Sequence, residues 1–499
     1  MPAAASAPAG LDVHPPHGDT VWDLLVIGGG TAGMVAARTA SGFRASVLLA
    51  ERDRTGGDCL WTGCVPSKAL IAAAAAAADA RRAASVGVHA DGVRVDFAAV
   101  MAHVNGAIAA IEPDDSPGTL AAAGVRIVHG VARFAGPTTA EIDGRPLRFR
   151  QAIVATGSQP ILPPIPGLEA VQPLTSDTVW GLTSLPQRLL VLGGGSIGCE
   201  LGQAYARLGS HVDIIETAPR LLLREDSDAA DVLTAALLRD GVDVRTGVTV
   251  TAIRPGADGA GTAELDDGTA VEFDRMLVAT GRRPRTDKLR LDLAGVAVDE
   301  RGYVAVNTQL RTSNRRVWAA GDVTGHPQFT HTAGMHASLA ASNALLGLRR
   351  HAELAAMPRV TFTQPEIAAV GIDTGTADRG HRLTSRTVRH EHVDRAVTDG
   401  HTEGFTRVVL DGRGRVLGAT VVGPRAGETL AELTLAVRRG LRAADLAGTT
   451  HAYPTYGYGP WDAAIEDVRH RLGRPLAART ITTLIALRRR WIDARGRFG

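Results

Sequence analysis

Apolar positions along this chain change texture twice. Between residues 21 and 290, short apolar runs alternate with stretches of helical spacing, which predicts strands and helices in turn. A strand is expected at 24–27, a helix at 31–39 and a strand at 46–50; the order recurs with a strand at 189–192, a helix from 196 to about 208 and a strand at 212–215. From about residue 357, short strands at 360–362, 406–410 and 416–422 precede a helix at 429–440, the pattern of an α+β unit with antiparallel strands. Past residue 480, Ile481, Leu484, Ile485 and Leu487 keep near-helical spacing and run into Arg488-Arg489-Arg490-Trp491.

What joins strand to helix in the two early copies is a glycine turn: Gly28-Gly29-Gly30-Thr31-Ala32-Gly33 in the first, Gly193-Gly194-Gly195-Ser196-Ile197-Gly198 in the second. In both, an acid follows 18 positions after the third glycine, at Glu51 and Glu216. One such turn is weak evidence. Two, each after a strand and each with an acid at one offset, point to two dinucleotide sites. The first glycine permits the tight turn, the second lets backbone approach a pyrophosphate, and the third lets helix pack on strand. The helix N-terminus then offers free N–H groups and partial positive charge to the phosphates, while the acid can accept hydrogen bonds from a ribose diol. The fold class that follows is α/β, with two Rossmann-like domains and an α+β C-terminal domain.

Between the first turn and the proline-rich stretch 160–166, which reads as a stiff linker, lies Gly56-Gly57-Asp58-Cys59-Leu60-Trp61-Thr62-Gly63-Cys64-Val65-Pro66-Ser67-Lys68. Two of the chain's three cysteines are here, five positions apart. A regular helix would hold their Cα atoms roughly 8 Å apart, beyond the ~7 Å reach of a disulfide. A bridge therefore needs a broken helix start, for which Gly63 is suited. A metal site lacks further Cys or His ligands nearby, and two inert buried thiols are the bland alternative.

With these residues in view, the chain resembles the FAD-dependent pyridine nucleotide-disulfide oxidoreductases, the family of dihydrolipoamide dehydrogenase, glutathione reductase and mercuric reductase. The resemblance spans about residues 21–465. Beyond the glycine turns it rests on GGxCxxxGCxPSK at 56–68, the ATG turns at 155–157 and 279–281, the Gly321-Asp322 step and Phe362-Thr363-Gln364-Pro365-Glu366. It implies FAD at Gly28, Gly30, Thr31, Ala32, Gly33, Glu51, Gly57, Lys68, Ala132, Thr156, Gly157, Asp322 and Thr330. It implies a nicotinamide cofactor at Gly193, Gly195, Ser196, Ile197, Gly198, Glu216, Val250 and Gly281. Glu216 favours NADH over NADPH by excluding a 2′-phosphate, although Arg220 is close in sequence. The resemblance further implies a Cys59–Cys64 redox disulfide, with Cys64 nearer the flavin, Cys59 attacking the substrate, and Lys68 paired with Glu200 near flavin N5. It also implies a homodimer acting on a small-molecule electron acceptor. The expected parts are a leader at 1–20, an FAD domain at 21–165 resuming at 290–356, an NAD(P) domain at 166–289, an interface domain at 357–468 and a basic tail at 469–499.

The chain departs from its family where the disulfide reductases carry a His before Pro and a Glu five residues later. Here these positions hold Tyr453 and Tyr458. Tyrosine, with a free pKa near 10, is a poor base at neutral pH, so turnover of lipoamide or glutathione is in doubt. His451 reads as structural. Mercuric reductases share the missing His but carry a terminal cysteine pair, and no cysteine follows Cys199 in this chain. The readings left open are a reductase of a disulfide, quinone or other small acceptor, a metal-ion reductase, a dithiol oxidase running in reverse, and a non-catalytic flavin-binding redox sensor.

Charge refines this picture. The total of 54 basic and 52 acidic residues gives +2, which argues against a nucleic-acid binder. Residues 469–499 hold nine Arg against Asp493, a local +8, leaving the preceding 468 residues at −6. Such a basic amphipathic tail can lie on an anionic membrane, or pack as a terminal helix on the dimer. Only Lys68 and Lys288 are lysines among the basic residues. Three cysteines are too few for a secreted disulfide scaffold, and the N-terminal twenty residues lack a signal-peptide pattern, so a cytoplasmic protein without a resident metal is expected.

Overall fold

The computed structural model describes residues 20–373 and 383–495. The leader, save Thr20, and the last four residues of the tail lie outside the described residues. The chain forms two units: residues up to 222 with 237–353, and 223–236 with residues from 354 onward.

The first unit contains two principal sheets, the first parallel except for its antiparallel strands Thr139–Ile142 and Ala132–Gly136, the second parallel throughout. In one, the strands run Arg126–His129, Val47–Glu51, Val21–Ile27, Arg145–Val154, Thr139–Ile142, Ala132–Gly136, and Val317–Ala319 pairs with Arg145–Val154. Val21–Ile27 sits between Val47–Glu51 and Arg145–Val154 and is parallel to both. Its residues alternate between two cores: Leu24 and Val26 join one with Ala36, Trp318 and Ala340, Leu25 and Ile27 the other with Phe134, Phe149 and Val317. A strand buried on both faces reads as a continuous apolar run, as 24–27 does. The return of the chain at 317–319 to a strand of this sheet makes the second parallel layer an insertion.

That second layer runs Val242–Thr246, His211–Glu216, Arg188–Leu192, Arg275–Val278, all parallel, with a three-stranded antiparallel sheet (Val250–Pro255, Gly261–Leu265, Ala270–Phe273) packed in the same core. The helix Ser196–Leu208 follows the second glycine turn. Against it and the helix Phe97–Asp115 lies Cys64–Arg82. Its alanine run gives high helix propensity and a thin side that permits close packing. The stretch 57–86 is long and apolar enough to cross a membrane by composition; its buried Leu70, Ala74, Ala77 and Ala78 belong to a packed helix.

The second unit carries a five-stranded antiparallel sheet in the order Arg359–Thr361, Glu366–Gly371, Val416–Gly423, Phe405–Leu410, Thr384–Arg389. Ala426–Arg439 and Tyr458–Leu472 pack on it through Leu430, Leu433, Ala463 and Ala464. The tail is one helix, Pro475–Arg495.

Candidate active site

The two glycine turns have the same construction. At Gly28, φ is +105° and a Cβ would lie 2.4 Å from the Ala155 carbonyl oxygen; at Gly33 a Cβ would lie 1.7 Å from the Gly28 oxygen. Gly193 and Gly198 repeat this against Ala279 and Gly193, at 2.7 and 1.9 Å. These positions are closed to any side chain by the chain itself. Gly195 differs, since a Cβ there meets nothing within 4 Å, so this position of the turn is open. Each acid is held by two backbone donors. Glu216 accepts from the N–H groups of Gly194 and Ala218, both at 2.7 Å, and Glu51 accepts from Gly29 and Asp53. Arg220 donates to the Leu222 carbonyl at 3.1 Å.

The cysteine segment breaks as a bridge requires. Gly57–Trp61 is a short helix, Thr62 and Gly63 interrupt it, and Cys64 opens the helix Cys64–Arg82. At Gly63 a Cβ would stand 2.7 Å from the Asp58 oxygen, so glycine lets the two helices join this tightly. Both cysteines are half-buried thiols. Cys64 Sγ lies 3.1 Å from Thr330 Oγ1, the first residue of the helix Thr330–Leu346. Hydrogen bonding from the Cys59 thiol lowers the Cys64 pKa to about 6, aided by the Thr330 hydroxyl and the Lys68 ammonium and opposed by burial and Glu200. Cys59 is pushed up, chiefly because its proton is held by Cys64 and also by burial. The two shifts run in opposite directions, so Cys64 is the more acidic thiol of the pair. Lys68 Nζ donates to Glu200 Oε2 at 2.9 Å. Glu200 is buried, and the pair fixes the side chain that follows Cys64 by one turn of the same helix.

Five further residues, which no sequence motif marks, brace this segment. Asp58, next to Cys59, is clamped by Arg282 and, at 3.1 Å, by Arg285. Arg282 also donates to Ser158 Oγ at 2.7 Å and Ser176 Oγ at 3.0 Å, and Ser158 in turn donates to Asp322 Oδ2 at 2.6 Å. Trp180 Nε1 donates to the Thr62 carbonyl at 2.8 Å. A continuous polar network therefore joins the Gly321-Asp322 turn to the start of the redox segment. Burial pushes the Asp322 carboxyl up, with Ser158 and Arg282 acting against it. Behind that turn His336, fully buried, accepts from the Gly321 N–H through Nδ1 at 3.4 Å and faces His326; burial lowers its pKa to about 4.

Other residues singled out by sequence fall elsewhere. Trp61 turns its indole N–H to the Thr55 carbonyl at 2.7 Å, beneath the Arg54 guanidinium. Ala132 and Val250 are buried strand residues. Cys199 is fully buried, its thiol 3.4 Å from the Gly194 oxygen. In the second unit, Tyr453 donates to Asp394 at 2.5 Å and packs edge-on against Tyr458 at 5.3 Å. That carboxylate holds the Tyr453 phenol above its usual range. His451 is bound between Glu432 and the Thr449 carbonyl.

A family description, pyridine nucleotide-disulphide oxidoreductase, matches residues 22–337, and the dimerisation domain of the same family matches 357–464. The chain belongs to the pyridine nucleotide-disulphide oxidoreductases. It is 38% identical over 446 residues to a mercuric reductase of Streptomyces lividans, covering 87% of this chain and 94% of that protein. It is 38% identical over 456 residues to a dihydrolipoyl dehydrogenase of Thermus scotoductus, covering 89% and 96%. Among solved structures, LpdA of Mycobacterium tuberculosis superposes with a TM-score of 0.81 at 28% identity, over 89% of this chain and 99% of LpdA. A Cu(II) complex of the HOCl-induced flavoprotein disulfide reductase RclA of Escherichia coli gives 0.80 at 26%, over the same shares. The chain is thus a flavoprotein oxidoreductase of a family that binds FAD and uses NAD(P)H, and its dimerisation domain supports a homodimer. The residues fit such cofactors: the second glycine turn is open at Gly195, and Thr156 Oγ1, buried beside Gly28, has no hydrogen-bond partner among the described residues.

Proposed function

We propose that this enzyme uses NAD(P)H to reduce the Cys59–Cys64 disulfide and passes the two electrons to a small acceptor. The observation that carries the reading is the geometry at the cysteines: Cys64 opens the helix that carries Lys68 four positions on, Lys68 is held by Glu200 at 2.9 Å, and the Thr330 hydroxyl lies 3.1 Å from the Cys64 sulfur. FAD, when bound, would supply the two-electron relay between the nicotinamide and the disulfide. In the net reaction NAD(P)H becomes NAD(P)+, the S–S bond breaks, and one proton is left on Cys59 while Cys64 is a thiolate. The Lys68–Glu200 pair holds positive charge where negative charge accumulates, and the Thr330 hydroxyl donates to the thiolate. FAD would be held by the first turn with Glu51, Thr156 and Asp322, in residues 21–165 and 290–356. The nicotinamide cofactor would be held by the second turn with Glu216, in 166–289. The carboxylate of Glu216, aimed by two backbone N–H groups, supports NADH over NADPH. Residues 357–468 would form the dimer interface, in a cytoplasmic enzyme.

Tyr453 sits where disulfide reductases place a base, yet its proton is committed to Asp394. This supports acceptors that need no proton delivered to a leaving thiolate, such as a quinone or a soft metal ion. The mercuric reductase relatives favour the metal reading; the lack of any cysteine after Cys199 weighs against an efficient relay to it. The test is anaerobic mixing with NADH or NADPH, then a panel of lipoamide, low-molecular-weight disulfides, quinones and Hg(II). Bleaching of the flavin with a long-wavelength band that vanishes in Cys64→Ser is expected. No flavin reduction with either nucleotide would leave only the non-catalytic reading.

A further inference from the structure

The helix Pro475–Arg495 stands apart from the redox chemistry, and the family match ends before it, at residue 464. It is 21 residues long and none of them is buried. Ile481, Leu484, Ile485, Leu487, Trp491 and Ile492 project within an arc of about 160° at 100° per residue. Leu484, Leu487 and Ile492 are each more than half exposed. Arg479, Arg489, Arg490, Thr482 and Thr483 occupy the opposite side. Arg488 and Arg495 fall in the apolar half, but each lays its guanidinium on the Trp491 ring, 4.0 and 4.1 Å from the centroid, so the stem covers apolar surface and the charge can reach outward. Thr480, Thr482 and Thr483 donate their hydroxyls to the helix's own carbonyls four residues back, which leaves no unsatisfied side-chain donor among them.

An exposed apolar face on a helix needs an occupant, and charge selects among the candidates. The helix carries five Arg and one Asp, a net +4, and none of its arginines forms an ion pair among the described residues. A second copy of the helix would set +4 against +4 with only Asp493 to relieve it. A nucleic acid would use the arginines but leave the apolar half uncovered. An anionic lipid surface satisfies both halves: Leu, Ile and Trp enter the headgroup and acyl boundary while arginines meet lipid phosphates. We infer that Pro475–Arg495 is a peripheral membrane anchor that docks the enzyme on anionic bilayers, lying in the interface without crossing it. In a homodimer two such helices act together, so the second engagement is intramolecular and strengthens the hold.

The test is co-sedimentation of the full-length holoenzyme with phosphatidylcholine vesicles, with and without phosphatidylglycerol. Binding is expected only with the anionic lipid, weakening as salt rises, and lost on truncation after Arg474. Replacing Arg488, Arg489 and Arg490 by Gln keeps the helix and should weaken binding roughly 100-fold, at about five-fold per arginine. NADH oxidation should be the same in all three proteins, which separates this result from any failure of the redox reading. Equal recovery of full-length and truncated protein overturns the proposal. So does a tail-dependent rise in oligomer size without vesicle binding, which would assign the face to a second copy, or tail-dependent retention on nucleic acid alone.

Discussion

Replacing Lys68 by Met removes one charge from the redox site while keeping most of the side-chain volume. Lys68 follows Cys64 by four positions in one helix, which sets their Cβ atoms about 6 Å apart, and this spacing is taken for the charge separation. At an effective dielectric of about 20 such a pair is worth about 3 kcal/mol, or two pKa units. The Lys68 side chain is 37% exposed, so solvent screening cuts this to about one unit. Cys64, which starts near 6, should therefore titrate near 7 in the variant. Removing Glu200 alone has the opposite sign, because its carboxylate raises Cys64. The double variant Lys68→Met/Glu200→Leu should return close to the starting value. The assay is a pH titration of the charge-transfer absorbance of the two-electron-reduced holoenzyme. A midpoint unmoved by Lys68→Met, or a double variant displaced further than the single one, would refute the electrostatic account.

Three further outcomes are expected. Gly195→Ala should fold and bind FAD normally while raising the KM for NAD(P)H by at least about ten-fold, whereas Gly198→Ala, with its Cβ 1.9 Å from a carbonyl, should lower the melting temperature through overpacking worth about 1–3 kcal/mol. Arg282→Leu leaves the Ser158–Asp322 pair without its cation and Asp58 with Arg285 alone; a loss of about 2 kcal/mol in denaturant unfolding, together with faster FAD release, is expected. His336 is held neutral by burial, with its folded pKa near 4 against 6.5 unfolded. Between those values the unfolded chain binds the extra proton, so stability is full above pH 6.5 and falls as pH drops through 4, by up to about 3 kcal/mol. Thermal melts of the wild type and His336→Gln across that window should converge in acid.

Local chemistry made much of this legible in advance. A glycine turn, its helix and its acid are contiguous, and the cysteine segment is thirteen residues long, so composition and spacing suffice. The strand Thr384–Arg389 was missed because an edge strand reads as polar, and Glu366–Gly371 because its interior apolar run, buried on both faces, shows no alternation. Boundaries also moved: the helix expected at 429–440 starts at Ala426, and the one expected to end near 39 runs to Gly42. The Thr330 contact with Cys64 and the Arg282 clamp on Asp58 span 266 and 224 positions. No periodicity encodes a pairing over such distances. The family resemblance implies Thr330 only as an FAD residue, whereas its hydroxyl lies 3.1 Å from the Cys64 sulfur. A charged residue adjoining Cys59, with arginines at the far ATG turn, was the one available hint.

The scarcity of lysine has a practical consequence at the Lys68–Glu200 pair. With 52 of 54 basic residues being arginine, amine-directed chemistry has almost nowhere to go except Lys68, the exposed Lys288 and the chain terminus. Reductive methylation with isotope-labelled formaldehyde would thus place a spectroscopic reporter within one helical turn of the redox sulfur. Lys288→Arg would clear the background, and the remaining side-chain resonance would follow the charge state of the cysteine pair through reduction, nucleotide binding and acceptor turnover.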